Sequence, residues 1–447
     1  MQNSVSLKKE ERRQFLRKGQ DKTVYYCLNG NEFSELKSFE LNGSLIDISE
    51  RGVCIQTDNP LSEGHIIYFD DVMDQQAGVV RWCADMERFY RAGIELKTDI
   101  DYAKNTDIGT SGWAAFIRED VEEYNKILDL ATVSFIRKME VIERRCADQK
   151  EGPEALFNTI EQAVEEIINS CAEYENMVQD MDVIREARVS FREKTNNVFS
   201  KSYLINRARV WPQGSQGDYK ILELIYKNTP LSEGFGYYLD RLMINTQVAD
   251  AVRDRIKKLE NILRDEIMNR QSPDVLNIAC GACRELVGVV PEIIDSGAKV
   301  VCIDNDNDAL KFAQGRLHNM GLRDEAEFYK YNALRLFDYE MALEEFGEQD
   351  IVYSVGFFDY LPDDFLVKLL GTLYKMLKTD GLLIAAFKDA ARYRSQYYHW
   401  LVDWDGFLQR KEEDFRKILD DAGIPSSSLK EMRDETGIII FYKITKK

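Results

Sequence analysis

Asp274-Val275-Leu276-Asn277-Ile278-Ala279-Cys280-Gly281-Ala282-Cys283-Arg284-Glu285-Leu286 is the stretch on which the fold of this chain turns. A short apolar run suited to a strand meets a turn of small side chains, and a helix starts beyond it. Such a turn lets a ligand approach bare backbone at a helix N-terminus. The pattern then repeats. Apolar runs at Val300–Ile303, Ile351–Val355 and Leu382–Phe387 are separated by helical patterns, which predicts a mostly parallel sheet. Ser428–Met432 and Gly437–Ile444 read as an antiparallel hairpin at the sheet edge. The second strand ends in Val301-Cys302-Ile303-Asp304-Asn305-Asp306, and an acid at that tip is placed to accept hydrogen bonds from ribose hydroxyls.

Upstream, the texture changes twice. From about Trp113, apolar residues recur at three- and four-residue steps (Ile127, Leu128, Leu130, Val133, Phe135, Ile136, Met139), and Gly152-Pro153 separates this helical run from a second one. Two long amphipathic helices must bury their faces on each other, on another domain or on a second subunit. A homodimer through these central helices is one expectation. Arg207 to Tyr219, with two glycines, a proline and a tryptophan, reads as an ordered loop. Residues 20–100 instead alternate in short apolar runs punctuated by Gly, Asn, Asp and Pro, the pattern of a compact β barrel.

The chain has 447 residues, enough for two or three domains. A net charge of −19 argues against a nucleic-acid polymer or an anionic membrane as partner. With three histidines, eight scattered cysteines and one CxxC (Cys280, Cys283), no metal site is expected. The CxxC reads either as a redox pair or as small-residue packing. No apolar run approaches a membrane span, and a soluble, cytoplasmic protein is expected.

The segment 274–286, with Asp304 at the next strand tip, resembles motifs I and II of class I S-adenosylmethionine (SAM)-dependent methyltransferases. The resemblance implies SAM as cofactor. It would be held by Asn277, Ala279, Cys280, Gly281, Arg284, Asp304 and Asn305, by Asn332 and Ala333 near adenine, and by Ser354. Asn277, Ala279 and Cys283 depart from the usual acid and two glycines, and alanine fits position 279 only if its φ is negative. Residues 200–447 are also similar to the extracellular-factor 3-hydroxypalmitic acid methyl ester biosynthesis proteins. The shared segments include Gly217-Asp218-Tyr219, Cys280-Gly281-Ala282-Cys283-Arg284-Glu285 and Ser354-Val355-Gly356-Phe357-Phe358-Asp359-Tyr360-Leu361. That likeness implies O-methylation of a hydroxy fatty acid or similar small acid. A carboxylate acceptor needs no deprotonation at neutral pH, which suits a chain so poor in histidine.

Phe357, Phe358 and Tyr360 either wall an apolar acceptor pocket or pack core. Arg392 and Arg394 read either as substrate-lid residues pairing with a carboxylate or as part of a packed helix; Arg253 and Arg255 either hold acidic helices or face the acceptor; Trp404 is a further substrate candidate. Tyr219, Tyr360 and His399 are the catalytic candidates, with His399 the only histidine near this chemistry.

At the other end, Arg12, Arg13 and Arg17 precede the expected barrel, which carries Asp47-Ile48-Ser49-Glu50-Arg51-Gly52. Guanidinium forks bind phosphate and the guanine edge. The pairing of RxxxR with DxSxxG, followed by Val79-Val80-Arg81-Trp82 and Tyr90–Leu96, resembles PilZ domains, the cyclic di-GMP receptors. It implies a dinucleotide held by Arg12, Arg13, Arg17, Asp47, Ser49 and Gly52.

The expected architecture is therefore multidomain: a PilZ-like β-barrel (1–110), a helical linker or dimerisation segment (111–200), a helical cap (201–270) and an α/β Rossmann-like methyltransferase with an antiparallel terminal strand (271–447). The expected function is a cyclic di-GMP-regulated methyltransferase. The alternative is a signalling adaptor whose methyltransferase-like domain is non-catalytic and docks a protein.

Overall fold

The computed structural model describes residues 18–29, 41–49, 52–58, 61, 66–72, 75–86, 89–96, 113–148, 150–213 and 216–447. The chain divides into two compact units, Met1–Thr110 and Ser111–Lys447.

In the first unit, strands β1 (Lys18–Asn29), β2 (Leu41–Ser49), β3 (Gly52–Thr57), β4 (Ile66–Val72), β5 (Gln75–Asp85) and β6 (Tyr90–Leu96) close a barrel in the order β1-β2-β3-β6-β5-β4. All six pairings are antiparallel. Val53, Cys54 and Ile55 on β3, and Ala92 and Ile94 on β6, are buried, so both faces of these neighbouring strands are covered. Ser49 pairs with Gly52 across the β2–β3 connection, which puts the Asp47-x-Ser49-x-x-Gly52 run at one turn of the barrel. Arg12, Arg13 and Arg17 lie outside the described residues, as do the side chains of Asp47 and Ser49.

The second unit is built on a seven-stranded sheet. Its strands are β7 (Asp274–Ile278), β8 (Lys299–Asp304), β9 (Ala326–Lys330), β10 (Gln349–Val355), β11 (Leu377–Lys388), β12 (Leu429–Arg433) and β13 (Ile439–Thr445), in the order β12-β13-β11-β10-β7-β8-β9. β7 to β11 pair in parallel, and β13 runs antiparallel to both β11 and β12. The terminal hairpin read from the sequence is present, with β13 inserted between β11 and the edge strand.

Helices α1 (Trp113–Asp148), α2 (Pro153–Val178), α3 (Met181–Lys194), α4 (Tyr203–Val210), α5 (Tyr219–Lys227), α6 (Gly234–Ile244) and α7 (Gln247–Met268) precede the sheet. Proline at the first position of α2 starts that helix where its missing N–H costs nothing. Helix α1 buries Leu128, Phe135, Met139 and Ile142 but exposes Ile127, Leu130 and Val133. Its apolar residues outnumber one helical face, so the periodicity overstated what is covered. One core runs from Leu128 on α1 through α2 to α7 and into the sheet at Phe441. Regions 111–200, 201–270 and 271–447 thus pack as one body, and the central helices bury a face within their own chain.

A charged junction explains that packing. Arg188 on α3 bonds Glu175 at 2.7 Å and Asp405 at 3.1 Å, and Arg192 bonds Asp405 at 3.0 Å and the His399 carbonyl at 2.7 Å. Trp400, fully buried in a π-helical turn at Tyr397–Leu401, donates to Glu175 and meets Tyr174 and Phe191 edge-on. Removing a fully buried aromatic costs about 3–5 kcal/mol. Trp400→Ala should lower stability by that amount and shift the helices and sheet together in a single chemical-denaturation transition. A transition in which the central helices melt apart from the sheet would contradict one shared core.

Candidate active site

The turn after β7 has an unusual backbone. Ala279, Gly281 and Cys283 all lie in the left-handed region, with φ of +51, +52 and +47. Only glycine adopts it freely; an L-residue there costs about 1–2 kcal/mol. The condition set for Ala279, a negative φ, is not met: the chain makes a three-glycine path with one glycine and two strained residues. The path is held by Cys280 N–H donating to the Ile303 carbonyl at 3.0 Å and Gly281 N–H donating to Asp304 Oδ2 at 2.7 Å. Asp304 Oδ1 accepts from Asp306 N–H at 2.8 Å, and burial pushes the Asp304 carboxyl up to about 6.

Beneath the turn, Asn277 is buried and donates to Glu285 Oε1 at 2.9 Å, an oxygen that also accepts from Tyr353 OH at 2.9 Å. Burial lifts Glu285 to about 7, and the Cys283 charge adds to the lift. Cys283 itself is lowered to about 5 by S–H donors from Cys280 and Cys302, while Cys280 and Cys302 are pushed up.

Above the turn lies α5. Asp218 caps it, accepting from Lys220 N–H at 2.8 Å and Ile221 N–H at 3.2 Å, and is itself paired with Arg207. Tyr219, Leu222 and Tyr226, at three- and four-residue spacing, put one face of α5 on the pocket, and Tyr219 packs against Phe312. Arg255, Ile256 and Leu259 of α7 form another wall, and Tyr353 and Val355 of β10 close the base. All of these line one cavity with the turn 279–285, at the carboxyl ends of β7 and β10, where open α/β sheets bind ligands. A larger cavity of about 510 Å³ shares Tyr226, Ile256 and Arg284 with it and is walled by Asp250, Arg253, Asp254, Lys257, Glu260, Glu435 and Thr436.

Arg255 is buried, and its Nη2 donates to Tyr226 OH at 3.2 Å. Its Nε has no partner among the described residues. A Cβ on Gly356 would lie 2.9 Å from Arg255 Nη1, and Gly356 has φ +98, so this position demands glycine twice over.

Of the cofactor residues expected from sequence, Asn277, Ala279, Cys280, Gly281 and Arg284 line the pocket, and Asp304 reaches it through its bond to Gly281. Asn305 is exposed just beyond β8. Asn332 accepts from Leu334 N–H at 3.0 Å, and buried Ala333 follows it at the end of β9. Ser354 is turned away: its Oγ donates to the Ile278 carbonyl at 2.8 Å, bracing β10 against β7.

The substrate and catalytic expectations need more correction. Phe358 is fully buried against Phe387, and Phe357 packs beside it. The core alternative therefore holds for Phe358. Arg392 bonds Asp389, and Arg394 is paired with Glu165 of α2 and with Asn169, so neither forms a lid. Trp404 stacks on Tyr398. Tyr360 leans on Phe407, next to the buried Asp359–Lys388 pair. His399 is buried in the π-helical turn beside Arg188 and lines neither cavity; burial and that cation lower it to about 4, too weak a base at neutral pH. Only Tyr219, of the three catalytic candidates, borders the pocket. Of the two arginines left open between holding acidic helices and facing the acceptor, Arg255 lines this pocket and Arg253 the adjoining one. Tyr226 was missed as a pocket residue, and the step of seven from Tyr219 was the available sign for it.

Residues 275–381 match the methyltransferase domain family. With the sheet order above, the second unit carries a Rossmann-like methyltransferase domain whose sheet is mixed. No curated protein matches the chain. Among solved structures, a possible exported protein from Bordetella parapertussis is similar at 16% identity and TM-score 0.44, covering 71% of this chain and 96% of that one. Magnesium protoporphyrin IX methyltransferase from Synechocystis PCC 6803 with bound SAM is similar at 17% identity and TM-score 0.33, covering 45% of this chain and 84% of that one. A SAM-dependent methyltransferase from Clostridium acetobutylicum aligns at 14% identity and TM-score 0.32, over 43% of this chain and 92% of its own. No helix among the described residues is long and apolar enough to cross a membrane.

Two outcomes follow from the geometry. Ala279→Gly relieves left-handed strain at the expense of some chain entropy, so the melting temperature should rise, with a net gain of up to about 1 kcal/mol. His399 is neutral in the fold, whereas in the unfolded chain it takes a proton below about pH 6.5. Its contribution is therefore complete above that value and is lost as pH falls toward about 4, by up to about 3 kcal/mol. Denaturant midpoints at about pH 7 and about pH 4.5 should differ more for the native protein than for His399→Gln.

Proposed function

We propose that this protein transfers the methyl group of SAM to the carboxylate of a small acid. The observation that carries the reading is a single pocket onto which both a methyltransferase-type loop, tied to Asp304, and the buried guanidinium of Arg255 open. SAM fits the donor set. Asp304 would accept from the ribose hydroxyls, the bare backbone at Gly281 would face the methionine portion, and Asn277 offers an uncharged hydrogen-bonding group beneath it. The cofactor supplies an electrophilic methyl on a sulfonium.

The chain's own residues orient the acceptor. Arg255, with Tyr226 beside it, would fix the carboxylate in line with the S–CH₃ bond, and positioning supplies much of the rate. So held by Arg255 and Tyr226, a carboxylate oxygen would be the nucleophile toward that methyl, and the C–S bonding pair would stay with sulfur. An ionised carboxylate has no proton to lose, so no base is needed, in keeping with a pocket lined by no histidine among the described residues. The adjoining cavity is lined mainly by charged side chains, which favours a small polar acid over a fatty acyl chain.

Regulation by cyclic di-GMP is part of the same proposal. It is supported by a closed antiparallel barrel with the Asp47–Gly52 run at its β2–β3 turn, and by the arginines at 12, 13 and 17. A second reading, a non-catalytic docking module, draws on the strained Ala279 and Cys283 and on the mere 60 Å³ or so left in the cofactor pocket.

Calorimetry with SAM separates the two. Binding that disappears in Asp304→Ala supports the enzyme; no binding to the native chain supports the docking module. Labelled SAM with a panel of polar and fatty acids, read by mass spectrometry, then identifies the acceptor. Arg255→Met should raise KM for the acid at least tenfold with SAM affinity unchanged. Rates that do not move when cyclic di-GMP is added, or Arg13→Ala protein that binds it as well as the native chain, would remove the regulatory half.

A further inference from the structure

The cofactor turn has a second chemistry on its inner side. Cys280 and Cys283 lie on the turn and Cys302 lies on β8. The paired strands bring together three sulfurs that are remote in sequence. Asn277 on β7 is in register with Cys302 on β8, so the turn that follows β7 folds back over that cysteine. The three Sγ atoms all fall within 4.8 Å of one another, and Cys283 Sγ is 3.6 Å from Cys302 Sγ. Cys280 is 7% exposed and the other two are fully buried. The CxxC alone lacked a partner pair; Cys302 is the third thiol beside it that spacing could not show.

We propose that Cys280, Cys283 and Cys302 form a three-thiolate site for one thiophilic d¹⁰ cation, of the Zn(II), Cd(II) or Cu(I) class, at the base of the cofactor pocket.

Three features support this. First, the spacing fits. A cation with bonds of about 2.3 Å to sulfur holds its ligands roughly 4 Å apart, so three sulfurs this close can share one ion after small side-chain rotations. Second, the donor set selects. Soft thiolates favour these ions and disfavour magnesium or calcium, which demand oxygen ligands. Third, there is a route. Cys280 and Cys283 line the cofactor cavity, so an ion can reach the sulfurs from it, and the fourth coordination position would face it. The left-handed φ of Cys283 adds a conformational reason: glycine would be relaxed there, whereas the strained cysteine supplies a sulfur 3.6 Å from that of Cys302. On binding, up to three S–H protons pass to solvent as three metal–sulfur bonds form, with no change of oxidation state.

The test reads metal directly, with neither methyl donor nor acceptor present, so its outcome is independent of the methyl-transfer reading. The full chain, reduced and stripped with chelator under anaerobic conditions, is titrated with Cd(II) and then competed with Zn(II). The expected result is one equivalent per chain by native mass spectrometry, with sulfur-to-cadmium charge-transfer absorption of an intensity corresponding to three thiolates. Cys302→Ser and Cys280→Ser should each weaken the site at least 100-fold, and Cys146→Ser, on α1, should leave it unchanged. Because the native chain alone reports stoichiometry and thiolate number, the result stands even if a variant folds poorly. Less than one equivalent, absorption for fewer than three thiolates, or loss of the signal in Cys146→Ser would overturn the site. So would non-reducing peptide mapping that finds Cys283 and Cys302 joined as a disulfide in the protein as isolated.

Discussion

The hydrogen bond from Gly281 N–H to Asp304, at 2.7 Å, joins the crossover after β7 to the tip of β8, and the site depends on it. Its donor is exposed by a backbone that turns left-handed at 279, 281 and 283. Its acceptor is a carboxylate that burial makes reluctant to ionise. β7 and β8 are already paired in parallel, and this bond carries their connection one step further, into the turn beyond β7. With it they form one concave surface, onto which α5 and α7 fold.

Around that surface, buried charge does the joining that sequence order does not. Arg188 and Arg192 on α3 reach Asp405, and Arg410 reaches the Leu361 carbonyl. Such contacts are strongly destabilising to break one partner at a time. They explain why a helical region that looks like a linker shares a core with the sheet. In segment 392–399, Arg392 bonds Asp389, Arg394 bonds Glu165 and Asn169, and buried His399 lines neither cavity. The side chains that do line the pocket at the turn include Arg255 and Tyr226.

The alternation of strand and helix from Asp274 and the hairpin at the end were legible, because each rests on local periodicity. So was the turn at 279–283, since small residues between a strand and a helix have few other uses. The partners of Arg394, Trp404 and His399 were not. Arg394 meets Glu165 across 229 positions, and no periodicity encodes such a meeting. The sign of φ at Ala279 was open for a different reason: it is set by the tether to Asp304 and not by alanine's own preference. Likewise the third thiol sits on a strand where its residue type reads simply as core.

Helix α5 deserves a mechanical description. At one end Asp218 holds Arg207 of α4, and in the middle Glu223 holds Arg316 of α8 (Asn307–Asn319) at 2.6 Å, while Arg316 also donates to the Ala282 carbonyl. The roof over the crossover is thus bolted on two sides, to the helical body and to the sheet's own first layer. Because both side chains of the Glu223–Arg316 pair are largely buried, salt screens it little, and the position of this roof should be insensitive to ionic strength.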